Sequence, residues 1–221
     1  MLDVSRPLVV ASITSDLGER HDRAVDVGAD AVELRFDLYD GDALDDLRET
    51  DIDLPVISTY RDREDVSHDE RVGVLRKAVE HSEAVDVDVD SPAEVREPVY
   101  RAAESHDVTR IASSHYRDGT PDASTLRDVL DRGLEAGDLA KLAVTAATHE
   151  DVHRLLGVTL DYRGRPVATM AMGGLGSYSR FLAPVYGSRL TYGSLGDPTA
   201  PGQLSVEDVV DLLARFDGGR R

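Results

Sequence analysis

Short apolar runs rich in β-branched residues alternate along this chain with longer amphipathic, charged stretches. The runs LVVASI (8–13), AVELRF (31–36), LPVISTY (54–60), AVDVDV (84–89), VTRIASS (108–114), LAKLAVT (139–145), PVATMAM (166–172) and LTYGSL (190–195) read as strands. Between them lie segments with helical spacing, among them 69–81, 92–105 and 205–216. In the last, Val206, Val209, Val210 and Leu213 share a face, and Ser205 is a good N-cap with Asp208 three residues on. Eight strand–helix units in 221 residues average about 28 residues each, and they predict a single-domain (β/α)8 TIM barrel over 1–221. An open doubly wound sheet is the alternative, but no Gly-rich dinucleotide turn follows the first strand.

The alternation within strands sharpens the picture. Successive side chains point to opposite faces, so Glu33 and Arg35 share one face, and Asp86, Asp88 and Asp90 share another. Charged residues on a face that turns into a barrel imply a polar interior site, although the aspartate run also fits a solvated edge. The other candidates fall near strand ends: Ser12, Arg61, His115, the turn MGGLGSYSR (172–180) and DPTAPGQ (197–203). In a barrel these converge on the C-terminal face, where active sites sit.

Composition excludes several classes. There is no cysteine, so disulfides, thiolate catalysis and Cys-based zinc sites are ruled out, and a cytoplasmic setting fits. No apolar run approaches the roughly 20 residues of a membrane span, and the N-terminus does not read as a signal peptide. The formal charge is −18, from 30 Asp and 13 Glu against 25 basic residues, which argues against non-specific nucleic-acid binding. Such an Asp-rich, Lys-poor balance resembles proteins of extreme halophiles and predicts stability that rises with salt. His149 and His153, at i,i+4 spacing, lack an acidic third ligand, and no metal site is expected.

Of the 25 basic residues, 23 are Arg and two are Lys, Lys77 and Lys141. Lys141 sits inside an apolar strand. A lysine there can snorkel to water. It can also do what Arg cannot, which is lose its proton and attack a carbonyl.

Five motifs in order, ELRFD (33–37), SSHY (113–116), AKLAV (140–144), MGGLGSYSR (172–180) and APGQ (200–203), make the chain resemble the type I 3-dehydroquinate dehydratases over nearly its whole length. The resemblance implies a Schiff base between Lys141 and the ketone of 3-dehydroquinate, with His115 as general base and then general acid. It implies that Glu33, Arg35 and Arg61 hold the ring hydroxyls, that Arg180 and Gln203 grip the carboxylate, and that Ser12 and Thr199 add hydrogen bonds. Gly173, Gly174 and Gly176 would let the backbone approach the ligand, and the loop 197–203 would close over it. No cofactor is implied, and a homodimer is. The family commonly has an acid four residues after the strand-3 arginine, followed by Gly-Gly, that orients the histidine. Here RDREDVS offers Asp65 or Glu64 for that role, without the glycines. Thr199 replaces a serine often found there, and Asp88 a glutamate. An aldolase-type Schiff-base barrel and a non-catalytic ligand-binding barrel are the other readings.

Overall fold

The computed structural model describes residues 1–216. Eight parallel strands form a barrel: β1 (Leu8–Ile13), β2 (Ala31–Arg35), β3 (Val56–Thr59), β4 (Ala84–Asp88), β5 (Thr109–Tyr116), β6 (Leu139–Thr145), β7 (Val167–Met172) and β8 (Leu190–Ser194). Eight helices alternate with them: α1 (Leu17–Asp26), α2 (Ala43–Glu49), α3 (His68–Ala78), α4 (Ala93–Ser105), α5 (Ala123–Ala136), α6 (His149–Asp161), α7 (Ser179–Tyr186) and α8 (Val206–Phe216). The expected strands and the (β/α)8 order are therefore present. β3 is shorter than its apolar run, and β5 is longer, reaching past His115, because Tyr116 still pairs with Val144 of β6. Ser205 caps α8, accepting the Asp208 N–H at 3.1 Å.

Each strand shows one face to the helices and one to the barrel axis. Val9, Ala11 and Ile13 of β1 pack with Val32 and Leu34 of β2 against the helices. The inward set is apolar at the N-terminal end, where Leu8, Val10, Ala31, Ile57, Ala84, Ile111, Leu139, Ala168 and Leu190 form one buried cluster. Leu2 joins that cluster, and its N–H donates to Thr109 Oγ1 at 2.9 Å, so the N-terminal segment plugs the barrel floor. One inward step higher the composition turns polar: Ser12, Glu33, Thr59, Asp86, Ser113 and Lys141 are all buried. The floor excludes water from below, and the polar layer is the bottom of a site open at the C-terminal end.

Hydrogen-bonded pairing runs β8-β1-β2-β3-β4-β5-β6-β7, and no ladder joins β7 to β8. The seam is made differently. Arg189 N–H donates to Val167 O at 2.7 Å. The Ser188 hydroxyl accepts from Thr169 N–H at 2.9 Å and donates to Leu190 O at 3.0 Å. Ser179 Oγ accepts from Ala171 N–H at 2.8 Å. Thr191 Oγ1 donates to Arg180 O at 2.5 Å. Small hydroxyls thus satisfy the Thr169 and Ala171 amides and the Leu190 carbonyl of the strands, and a carbonyl of the first turn of α7.

Candidate active site

Strand register brings the site together. Ser113 of β5 lies level with Lys141 of β6, and His115 lies one inward position higher, level with Ala143. Asp86 of β4 is level with Thr59 of β3, and Glu33 of β2 with Ser12 of β1. Lys141 Nζ is 2.8 Å from Asp86 Oδ2 and 3.5 Å from Glu33 Oε1, and it stands 4.0 Å from the centroid of the Tyr192 ring. The Arg61 guanidinium grips Asp86 through both oxygens, at 2.9 and 2.7 Å, and donates to Ser113 Oγ at 2.7 Å. Ser113 in turn donates to Asp86 Oδ1 at 2.6 Å. Glu33 accepts from Ser12 at 3.1 Å and from Thr59 at 2.9 Å. Two buried carboxylates are therefore fully partnered, as burial of charge demands.

Electrostatics follows from these contacts. Burial alone would raise Asp86, but Arg61 and Lys141 outweigh it and hold the carboxyl far below its ordinary range. Burial also opposes the ionised form of Glu33, and Lys141 and Arg35 overcome it. His115 is pushed below its ordinary 6.5, first by burial and then by the Arg61 charge, against the opposing pull of Asp88. Its Nδ1 lies 3.1 Å from Asp88 Oδ2. That carboxyl is itself lowered; burial would raise it, but the bonds from His115 and the Asp90 N–H prevail. With Asp88 ionised, Nδ1 carries the donated proton and Nε2 is left as the basic nitrogen.

Above this layer is a cavity of about 140 Å³. Among its lining residues are Ser12, Glu33, Arg35, Arg61, His115, Lys141, Arg180, Thr199 and Gln203, all of the catalytic and substrate-binding residues expected from the sequence. Arg117, Met170, Met172 and Tyr192 complete much of the wall. Arg35 is held by Asp37 through two bonds of 3.0 and 2.6 Å. Gln203 Oε1 accepts from the Thr199 N–H at 2.7 Å and its hydroxyl at 2.9 Å, while Nε2 donates to Ser12 Oγ at 3.4 Å. Arg180, on the first turn of α7, is 2% exposed; among the described residues it forms no ion pair, its Nη1 donates to Met170 Sδ at 3.6 Å, and its Nε has no hydrogen-bond partner. Burial pushes its pKa down to about 10, which still leaves it charged at neutral pH. In a chain of net charge −18, the charged groups lining this cavity are mostly cations, Arg35, Arg61, Arg117, Lys141 and Arg180 against Glu33. It suits an anionic ligand, and Arg180 is the group left free to bind one bidentately. A larger surface groove of about 650 Å³, lined by residues of α3 and α4 such as Gly73, Arg76 and Pro98, contains none of the candidate residues.

Three expectations need correction. Neither Asp65 nor Glu64 meets His115. Asp65 is exposed and paired with Arg63 at 2.8 Å, Glu64 is also exposed, and the acid beside the imidazole is Asp88. The glycines of the 172–180 turn do not line the cavity. Gly173, at φ +87°, donates its N–H to Pro201 O at 3.0 Å, and a Cβ on Gly202 would stand 2.1 Å from Gly173 O. A Cβ on Gly176 would meet the Ala171 backbone at 2.6 Å. These glycines let the β7–α7 turn dock on the 197–203 loop and on β7. Finally, the aspartate run is not a solvated edge throughout: Asp86 is fully buried and Asp88 half-buried, while Asp90 is exposed. Asp86, Ser113 and Tyr192 were missed as site residues. Inward alternation flagged Asp86, but nothing local shows which strand faces it.

A profile of the type I 3-dehydroquinase family matches residues 7–219. The 3-dehydroquinate dehydratase of Methanococcoides burtonii is 38% identical, over 96% of this chain and 95% of its own. That of Halobacterium salinarum is 37% identical, over 93% and 96%. The crystal structure of the type I 3-dehydroquinate dehydratase from Clostridium difficile, with covalently modified comenic acid, superposes with a TM-score of 0.86 at 27% identity, covering 98% of this chain and 94% of that one. With the buried lysine, the histidine and the cationic cavity on one barrel face, this similarity along the whole chain places it in the type I 3-dehydroquinase family.

Proposed function

We propose that this chain dehydrates 3-dehydroquinate to 3-dehydroshikimate, a step of the shikimate pathway, through a Schiff base on Lys141. The observation that carries the reading is a buried strand-borne amine facing a cavity with one unpaired buried guanidinium, Arg180, and one neutral imidazole, His115. The relatives supply the substrate, and its carboxylate matches the free valence of Arg180.

Lys141 passes an ammonium proton to the neutral His115 imidazole and adds to the ketone as the free amine; the imidazolium returns that proton to the carbinolamine hydroxyl, which leaves as water to give a protonated imine. That iminium is an electron sink for the carbon beside it. His115 Nε2 takes the α-proton, and the bond's electron pair moves to the nitrogen as an enamine. The imidazolium then protonates the β-hydroxyl, which leaves as water while the enamine electrons form the ring double bond and restore the iminium. Water hydrolyses this to the enone and frees the lysine. One histidine serves both proton transfers when both groups leave from the same ring face.

Glu33, Arg35 and Arg61 fit the hydroxyl-binding and organising roles, Ser12 and Thr199 add hydrogen bonds, and Gln203 assists Arg180. No step requires a metal or an organic cofactor. The loop 197–203, docked on the Gly173 turn, is suited to covering the ligand. The resemblance also supports a homodimer in the cytoplasm.

Incubation with 3-dehydroquinate in molar KCl followed by borohydride tests the reading. The expected result is a substrate-sized reduced adduct on Lys141. Folded protein that turns over substrate with no adduct would exclude the Schiff base.

A further inference from the structure

We infer that Arg71 is the positioning residue for Arg61, fixing the chain on either side of it. The ladders that hold β3 end at Thr59, level with Arg35 of β2 and Asp86 of β4. Arg61 lies two residues beyond them, yet its guanidinium reaches back into the barrel to Asp86 and Ser113. Arg71, on α3, takes over where the ladders stop. Its Nε donates to Tyr60 O at 2.6 Å, and its Nη1 lies 3.6 Å from Asp62 Oδ1. One side chain thus engages the residues immediately before and after Arg61. Its Nη2 donates to Ser91 Oγ at 3.4 Å, in the turn after β4.

Stability alone does not account for this arginine. It is 2% exposed, its Nη1 has no hydrogen-bond partner among the described residues, and its ion-pair partner Asp62 is itself largely exposed. Burial pushes its pKa down, and Asp62 offsets this only in part. A cation buried on such terms costs free energy that an apolar side chain at the same place would not. What the guanidinium adds is geometry, since a planar fork reaches several acceptors at once in fixed directions. The inference rests on the roles of Arg61 and His115 in the proposed reaction.

Arg61 bears on the base as well as on the ligand. His115 faces Asp86 and Asp88 from β4, Lys141 from β6 and Arg61 from the end of β3. Arg61 and Lys141 disfavour the imidazolium, whereas Asp88 and Asp86 favour it. Released by Arg71, Arg61 would leave its place and disfavour the imidazolium less. Loss of the Ser91 contact would act instead on the turn after Asp88, and a loosened Asp88 would favour the imidazolium less. The two routes move the titration of His115 in opposite directions.

NMR titration of the His115 imidazole in molar KCl reads this without turnover, so it stands whether or not Lys141 forms a Schiff base; borohydride trapping judges that separately. Arg71→Met keeps much of the volume and none of the donors. Its His115 midpoint is expected to rise by about half a pH unit or more, and its kcat/KM to fall about tenfold or more. Arg71→Lys keeps the charge but cannot bracket Arg61 from both sides. It is expected to show a smaller rise and serves if the methionine variant does not fold. Arg71→Met added to Arg61→Gln should raise the midpoint no further. A midpoint that does not rise in the variants that fold overturns the inference, and a fall would assign Arg71 to Asp88 through Ser91. A rise that persists in the Arg61→Gln background also overturns it, by assigning the effect to the charge of Arg71 acting through space.

Discussion

A histidine that takes a proton near neutrality needs a neutral ring and one nitrogen held fixed. Asp88 supplies the second by binding Nδ1, and burial with Arg61 supplies the first. Because the folded pKa lies below 6.5, the neutral form survives as pH falls past that value. The acid limb of kcat/KM is therefore expected below pH 6.5. Asp88→Asn removes a charge that favours the imidazolium, so the limb should move lower still. An amide can also donate to Nδ1 and favour the wrong tautomer, so the rate should fall about tenfold or more. Asp65→Asn and Glu64→Gln should change neither. An Asp65→Asn defect matching that of Asp88→Asn would remove Asp88 from this role, and a parent limb above 6.5 would show that burial and Arg61 do not outweigh its pull. At this scale Lys141 and His115 were legible because a lone lysine in a buried strand and a histidine at a strand end are local oddities. The partnership of Lys141 with Asp86, 55 residues away, was not. It depends on the register of three strands.

At the scale of elements, most of the fold was legible because eight apolar runs alternate with amphipathic ones. The strand β3 is shorter than the apolar run 54–60. Leu54 packs with the α1–α2 side of the core, and Tyr60 turns outward to the α3–α4 cluster, so only Val56–Thr59 pair as strand. The seam between β7 and β8 could not be read, since serines that cap strand amides resemble any other serines. Ser188→Ala would leave the buried Thr169 N–H and Leu190 O without their hydroxyl partner, at a cost of about 1–3 kcal/mol. Denaturant unfolding at fixed salt measures this, and a loss under a few tenths of a kcal/mol would show that water or a backbone shift replaces the hydroxyl.

For the whole molecule, charge decides behaviour. The surface carries most of 43 acidic side chains against 25 basic ones, and several arginines are already committed, as in Arg61–Asp86 and Arg110–Asp138. The surplus repels itself through dilute buffer, where screening reaches far, and is muted in molar salt, where the Debye length is roughly 3 Å. The melting temperature is expected to rise by several degrees between dilute buffer and molar KCl, and an unchanged value would sink the idea. Sedimentation of the same samples tests the homodimer, which a monomer at every salt concentration would exclude.

A closed ring of laddered strands behaves like a hoop: widening it anywhere means breaking several backbone bonds at once. This hoop has a clasp. Where β7 meets β8, one backbone bond joins Arg189 to Val167, the Ser188 hydroxyl bridges Thr169 and Leu190, and α7 is tied to each strand through Ser179 and Thr191; these hydroxyls swivel about single bonds and can follow a small separation of the strands. The clasp lies between Met170 and Met172 on one side and Tyr192 on the other, the wall beside the lysine. A cavity of about 140 Å³ leaves a six-membered ring with its substituents little slack. Any small change in the girth of the barrel is therefore least costly at the clasp, where no run of backbone bonds has to break together.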